Sequence, residues 1–223
     1  MITVHHLDHS RSQRVLWLLE ELGLDYDIVE YKRDPKTLRA PASLRAIHPL
    51  GKSPVVVDGA VVLAESGAII EDLVDRYGSG RLAPAAGTEE QQRFRYFLHY
   101  AEGSLMPLLL MALVFNRMPR APMPFFARPI ARRLAAGAHG VMVGPQLELH
   151  YAFLEGELAD RPWFAGNEFS AADIQMSFPL QAAATRSGLD RRYPALRSWL
   201  LRIRERPAYQ RAQARGGDDG VLS

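Results

Sequence analysis

Three side chains able to hold or pass a proton crowd the short stretch "LDHSRSQRV": His9, Ser10 and Ser12. A serine hydroxyl before a helix either caps free backbone N–H groups or donates to an anion held there. Ser10 with Gln13 has the spacing of a capping box, so both readings of Ser10 stand, and Ser12 is the second candidate donor. His5, His6 and His9 do not assemble a metal site: strand neighbours point to opposite faces, and no cysteine or carboxylate pair completes a ligand set. Cysteine is absent altogether, which removes disulfides, thiolate metal sites and any protein thiol nucleophile. A sulfur nucleophile has to come from a ligand.

Two further clusters stand out. "HPLGKSPVVV" sets Lys52, Ser53 and Pro54 at the start of a β-branched run, and "LAES" sets Glu65 and Ser66 before an apolar helix. Alone, Pro54 reads as a strand-start proline and Ser66 as a helix N-cap.

The elements around these residues follow from periodicity. "MITVHHL" is a strand, and "SQRVLWLLEELG" places Val15, Leu16, Leu18, Leu19 and Leu22 on one helical face with Gly23 as its C-cap. "DYDIVEYK" alternates as a strand, completing a β-α-β unit whose strands pair in parallel. "SPVVVDGAVVLAES" reads as a hairpin turning at Asp58-Gly59, and "ESGAIIEDLVDRYG" as a helix burying Ile69, Ile70, Leu73, Val74 and Tyr77. After the linker 80–87 no convincing strand appears. Thr88 with Gln91 opens a helix that should kink near Pro107, and two or three helical pieces follow among the breaks at 119–124 and 137–145. Ser170, Asp173 and the pair Phe169 and Ile174 form a capping box with a staple, and "RGGDDGVLS" reads as a frayed end.

The 223 residues, 48% hydrophobic, suffice for one large or two modest domains, and 27 basic against 25 acidic side chains are scattered rather than patched. Nucleic acid is therefore not an expected partner. The apolar run Met106 to Phe115 is too short to span a bilayer and no export signal is visible, so the expected location is the cytoplasm.

A β-α-β-α-β-β-α order is the thioredoxin arrangement, with Pro54 as candidate for its cis proline. The thioredoxin-like part, residues 1–79, is followed by an all-helical part, residues 88–223. With the motifs "HSRSQR", "HPLGKSP", "LAES" and "FSAAD", the chain resembles the glutathione S-transferases along essentially its whole length. It is similar in particular to the fungal and bacterial subgroup typified by a yeast enzyme.

The resemblance implies glutathione as co-substrate, no metal, and a homodimer in which "MPFFARPI" supplies exposed aromatics. It implies that Ser10 donates to the glutathione sulfur. Ser53, before the cis proline Pro54, offers a strand edge to the tripeptide backbone; Glu65 and Ser66 hold the γ-glutamyl end, and Lys52 with Arg39 the glycyl end. Small hydrophobic electrophiles would bind between the two parts, with Tyr100, Leu105, Met106 and Met111 readable either as wall residues or as plain helical core. A glutathione-dependent peroxidase, dehalogenase or isomerase, or a non-catalytic binding module of the same fold, remains an alternative.

Overall fold

The computed structural model describes residues 1–37, 39–186, 189 and 191–217; the terminal stretch expected to fray lies from 218 onward outside the described residues. Four strands, β1 (Ile2–Leu7), β2 (Tyr26–Tyr31), β3 (Val55–Asp58) and β4 (Val61–Ala64), form one sheet in the order β2-β1-β3-β4. β1 pairs in parallel with β2 and antiparallel with β3, which pairs antiparallel with β4. The helix between β1 and β2 is α1 (Gln13–Leu22), whose Val15, Leu16, Leu18 and Leu19 are fully buried and which ends at Gly23 in the left-handed conformation, φ 70°. The poorly patterned stretch after β2 holds one short helix, α2 (Ala42–Arg45). Asp58 stays in the ladder opposite Val61, so the hairpin loop is Gly59 and Ala60, one residue later than the sequence suggests. Its carboxylate accepts from the Tyr77 hydroxyl at 2.5 Å, tying the hairpin to α3 (Ser66–Tyr77).

The remainder is helical: α4 (Glu89–Tyr100), α5 (Met106–Arg117), α6 (Arg128–Ala138), α7 (Gly144–Glu157), α8 (Ala171–Arg186), α9 (Pro194–Arg204) and α10 (Pro207–Gly216). Thr88 caps α4 by accepting from the Gln91 N–H at 3.2 Å, while Gln91 reaches back to the Gly87 N–H at 2.9 Å. Instead of a simple kink at Pro107, the chain makes a π-helical turn, Ala101–Leu105, immediately before it. This joins α4 and α5 into one segment, Glu89–Arg120, of 32 residues, with a mean hydropathy of 1.5 over its best window. The ten-residue apolar run thus belongs to a helix long and apolar enough to cross a membrane by length and composition, because helix continues on both sides of it. Within the fold its Phe94, Phe97, Leu98, Leu105 and Leu109 are buried in the core shared by both parts of the chain.

Asp173 anchors the second part. Its Oδ1 accepts from the Phe164 N–H at 3.1 Å and the Trp199 indole at 2.9 Å, and its Oδ2 from the Ser170 N–H at 3.1 Å. Burial pushes this carboxyl up to about 6, against the pull of those donors.

Candidate active site

β1 ends at Leu7 and α1 starts at Gln13, so the intervening turn hangs off the C-terminal end of a central strand. Ser12 occupies the N-cap position without a side-chain cap bond, and the Gln13 amide donates instead to Gln213 at 3.0 Å. The Ser10–Gln13 capping box is therefore not formed. The Ser10 Oγ lies 2.7 Å from the Ser12 Oγ and 3.4 Å from the Ser53 Oγ, and accepts from the Ser12 N–H at 3.3 Å. It lines a cavity of about 240 Å³ together with His9, Arg39, Lys52, Ser53 and Phe178. Ser12 is fully buried, bonds the His6 Nδ1 at 2.8 Å, and lines no wall of that cavity.

The Ser53–Pro54 peptide is cis. The Ser53 hydroxyl donates to the His5 carbonyl at 3.0 Å and accepts from the Leu7 N–H at 3.2 Å, which pins the start of β3 against β1. Lys52, Ser53 and Arg11 also line a second cavity, of about 320 Å³, whose other walls include Pro54, Glu65, Ser66 and Glu102. The two cavities thus adjoin as one cleft. A larger cavity, about 530 Å³, runs along the linker and shares no lining residue with it.

Glu65 holds a left-handed φ of 72° with ψ 123°, a conformation unfavourable for a residue with a side chain and one that concentrates at functional sites. Sequence reading gave no sign of it. The next residue opens α3 with no side-chain cap on its first-turn N–H groups, and both Glu65 and Ser66 line the second cavity, which puts the positive end of the helix beside it. Ser66 is the first residue inside α3 rather than its N-cap, a position held by Glu65, and its Oγ accepts from Arg14.

Arg14 was also missed as a site residue. Its Nη2 donates to the Ser66 Oγ at 3.0 Å and to the Glu102 Oε1 at 2.6 Å, while its Nη1 donates to the Gln175 carbonyl at 2.8 Å. Glu102, from the π-helical turn, also receives Arg11 at 3.0 Å. Both guanidinium groups sit 5.4 Å from the centre of the Phe178 ring. Burial lowers Arg14 to about 10, with Glu102 working against it. For Glu102, burial raises the carboxyl, but Arg14 and Arg11 outweigh it and hold the group below its ordinary range. No local pattern could have announced a pair 88 positions apart.

Of the two readings open for the electrophile-wall candidates, three of the four residues take the helical-core one. Tyr100 is buried and hydrogen-bonded to His150, and Leu105 and Met106 belong to the core. Met111 is 39% exposed. None of the four lines the cleft; from the helical part, Glu102 and Phe178 do. His5 bonds the Tyr31 hydroxyl at 2.9 Å, and among the described residues no set of His, Cys, Asp and Glu converges as metal ligands.

Residues 10–76 match the glutathione S-transferase N-terminal domain family, and residues 143–207 the glutathione S-transferase C-terminal domain family. The chain is 35% identical to glutathione S-transferase 1 of Saccharomyces cerevisiae, over 98% of each protein. Its fold is similar to the crystal structure of a glutathione S-transferase from Actinobacillus pleuropneumoniae, at 35% identity and a TM-score of 0.81, covering 97% of this chain and 93% of that one. A sphingomonad glutathione S-transferase complexed with glutathione is 26% identical with a TM-score of 0.72, covering 96% and 98% respectively. On the matched domains and the full-length identity, the chain belongs to the glutathione S-transferase family.

Proposed function

We propose that this protein binds glutathione in the cleft between β3 and the start of α3, ionises its thiol beside Ser10, and transfers the sulfur to small hydrophobic electrophiles. The observation that supports the reading is that Ser10, Arg39, Lys52 and Ser53 line one cavity and Lys52, Ser53, Pro54, Glu65 and Ser66 a second, the two sharing Arg11, Lys52 and Ser53. Their combined chemistry suits an extended tripeptide with two carboxylates, one ammonium and a central thiol. Ser53 offers the backbone edge. The α3 N-terminus and Ser66 favour the γ-glutamyl carboxylate, the Glu65 carboxylate its ammonium, and Lys52 with Arg39 the glycyl carboxylate.

Magnitudes support a hydroxyl as sufficient. An ordinary cysteine-type thiol has a pKa of about 8.5, and lowering it two units takes about 2.7 kcal/mol. One hydrogen bond to a charged group contributes about 1.5 to 3 kcal/mol and a helix N-terminus about 0.3 to 1 kcal/mol. Ser10 therefore acts as donor to sulfur, and the thiolate is the nucleophile: it bonds to the electrophilic carbon while the leaving group departs with its electron pair.

Residues 1–79 form the glutathione-binding unit in this reading, and 88–223 supply electrophile and subunit contacts. The protein acts as a cytoplasmic homodimer that detoxifies apolar electrophiles, without a resident metal. Retention on immobilised glutathione with elution by free glutathione tests binding, and an electrophile panel including hydroperoxides separates conjugation from peroxidase or isomerase chemistry. Absence of binding at millimolar glutathione contradicts the proposal and leaves a binding module; a monomer by sedimentation at micromolar protein contradicts the assembly.

A further inference from the structure

A chain of four hydrogen-bonded groups leads inward from Ser10. The Ser10 Oγ is 2.7 Å from the Ser12 Oγ, which is 2.8 Å from the His6 Nδ1, and the His6 Nε2 lies 2.9 Å from the Gly216 carbonyl oxygen. Every member before the carbonyl is buried: Ser10 is 6%, Ser12 0% and His6 5% exposed.

The direction of the protons along this chain is set from its inner end. A carbonyl only accepts, so the His6 Nε2 carries hydrogen and donates to Gly216. In neutral His6 the Nδ1 is then the acceptor, so Ser12 donates to His6 and Ser10 donates to Ser12. The Ser10 proton is thus directed mainly to the Ser12 Oγ at 2.7 Å, with the Ser53 Oγ at 3.4 Å a second, longer acceptor for it, and the Ser10 oxygen is left to accept from a thiol. The carbonyl that fixes this comes from the last residue of α10, where a Cβ on Gly216 would meet the Leu16 Cδ1 and the Gln13 Oε1 at 2.4 Å. Glycine allows α10 to sit that close to α1.

We propose that Ser12 and His6 are positioning residues that receive the glutathione proton through Ser10, an inference resting on the assignment of Ser10 to the sulfur. The S–H bond breaks with its electron pair left on sulfur. The thiol proton moves to the Ser10 Oγ, the Ser10 proton to the Ser12 Oγ, and the Ser12 proton to the His6 Nδ1. Each group now donates outward: His6 to Ser12, Ser12 to Ser10, and Ser10 to the thiolate. When the thioether leaves, the same steps reverse and the proton exits through Ser10 to solvent or to the departing anion.

The surroundings of His6 bear on this role in both directions. Burial dominates and holds the His6 pKa below its ordinary value, while the Gly216 carbonyl, Glu30 opposite it on β2, and Asp8 just after β1 offset part of that by favouring the imidazolium. α1 contributes the Ser12 hydroxyl.

The test follows the thiolate absorbance of glutathione bound to the full protein across pH, with steady-state kinetics on the same variants. Ser12→Ala and His6→Asn, which cannot pass or accept the proton, should each raise the bound thiol pKa by about one unit. At neutral pH kcat/KM should fall about tenfold and recover as pH rises, with KM for glutathione changed less than about twofold. Ser12→Thr, which keeps the hydroxyl, should restore the native titration. If His6→Asn does not fold, the two Ser12 variants carry the test. A shifted titration in Ser10→Ala with native titrations in Ser12→Ala and His6→Asn overturns the relay and leaves Ser10 in place. An unshifted titration in Ser10→Ala overturns the sulfur assignment itself.

Discussion

The Arg14 guanidinium, 2% exposed, meets the Glu102 carboxylate at 2.6 Å across the boundary between the sheet-bearing and helical parts of the chain. The same nitrogen holds the Ser66 hydroxyl at 3.0 Å, so the helix start proposed to bind the γ-glutamyl end is braced from the other half of the molecule. The pair joins the two parts where the cleft lies.

Glu102→Gln should destabilise the protein by about 2 kcal/mol, read as a lower midpoint in urea unfolding. Losing one partner of a fully buried pair costs about 3 to 5 kcal/mol; the figure here is smaller because Glu102 is one-third exposed. A change under about 0.5 kcal/mol would mean that water already screens the pair.

The same carboxylate gives the acid response a sign. Arg14 and Arg11 hold Glu102 below its ordinary value of 4.5, so its contribution is present above that value and is lost as pH falls through the folded value. Asp173 acts oppositely: raised from 3.8 to about 6, it takes stability away as pH rises across that interval. Denaturation midpoints measured from pH 3 to 7 should show a loss below about pH 4.5 that Glu102→Gln reduces, the remainder coming from other depressed carboxylates such as Glu20. An acid limb of unchanged size in that variant would contradict the assignment.

Asp173→Asn should lower stability by about 2 to 3 kcal/mol. Whichever way the amide is turned, its NH₂ faces N–H donors, that of Ser170 in one orientation or those of Phe164 and Trp199 in the other, so one or two bonds are replaced by repulsive contacts. Thermal melting of the purified variant measures this.

Glu65→Gln should raise KM for glutathione about tenfold, equivalent to about 1.4 kcal/mol, with kcat changed little, since the ammonium it is proposed to hold takes no part in sulfur transfer. A fall in kcat at unchanged KM would instead place Glu65 in the chemical step.

Local pattern carried much of the fold. β-branched alternation marked β1, β2 and the hairpin, and apolar spacing with Gly23 marked α1, because those signals are set by nearest neighbours. The hairpin loop moved by one residue because Asp58 stays paired, with its carboxylate engaged by Tyr77, a tertiary contact that turn chemistry cannot register. At the cleft, Ser10 was legible as a hydroxyl at a strand-to-helix turn. Its link through Ser12 to His6 was not, since that depends on α10 delivering the Gly216 carbonyl from the far end of the sequence. The Tyr100, Leu105 and Met106 side chains satisfied a helical stripe equally well as cleft wall or as core, and the fold uses them as core.

The account turns on whether Ser10 donates to the glutathione sulfur. The direct measurement is the ultraviolet absorbance of thiolate in the protein–glutathione complex, titrated from acid to alkaline pH in the native protein and in Ser10→Ala. The native complex should ionise well below the free thiol, and Ser10→Ala should raise the bound pKa by one to two units, about 1.4 to 2.7 kcal/mol, with conjugation at neutral pH slowed in proportion. An unchanged titration in Ser10→Ala, with conjugation at neutral pH undiminished, would contradict it.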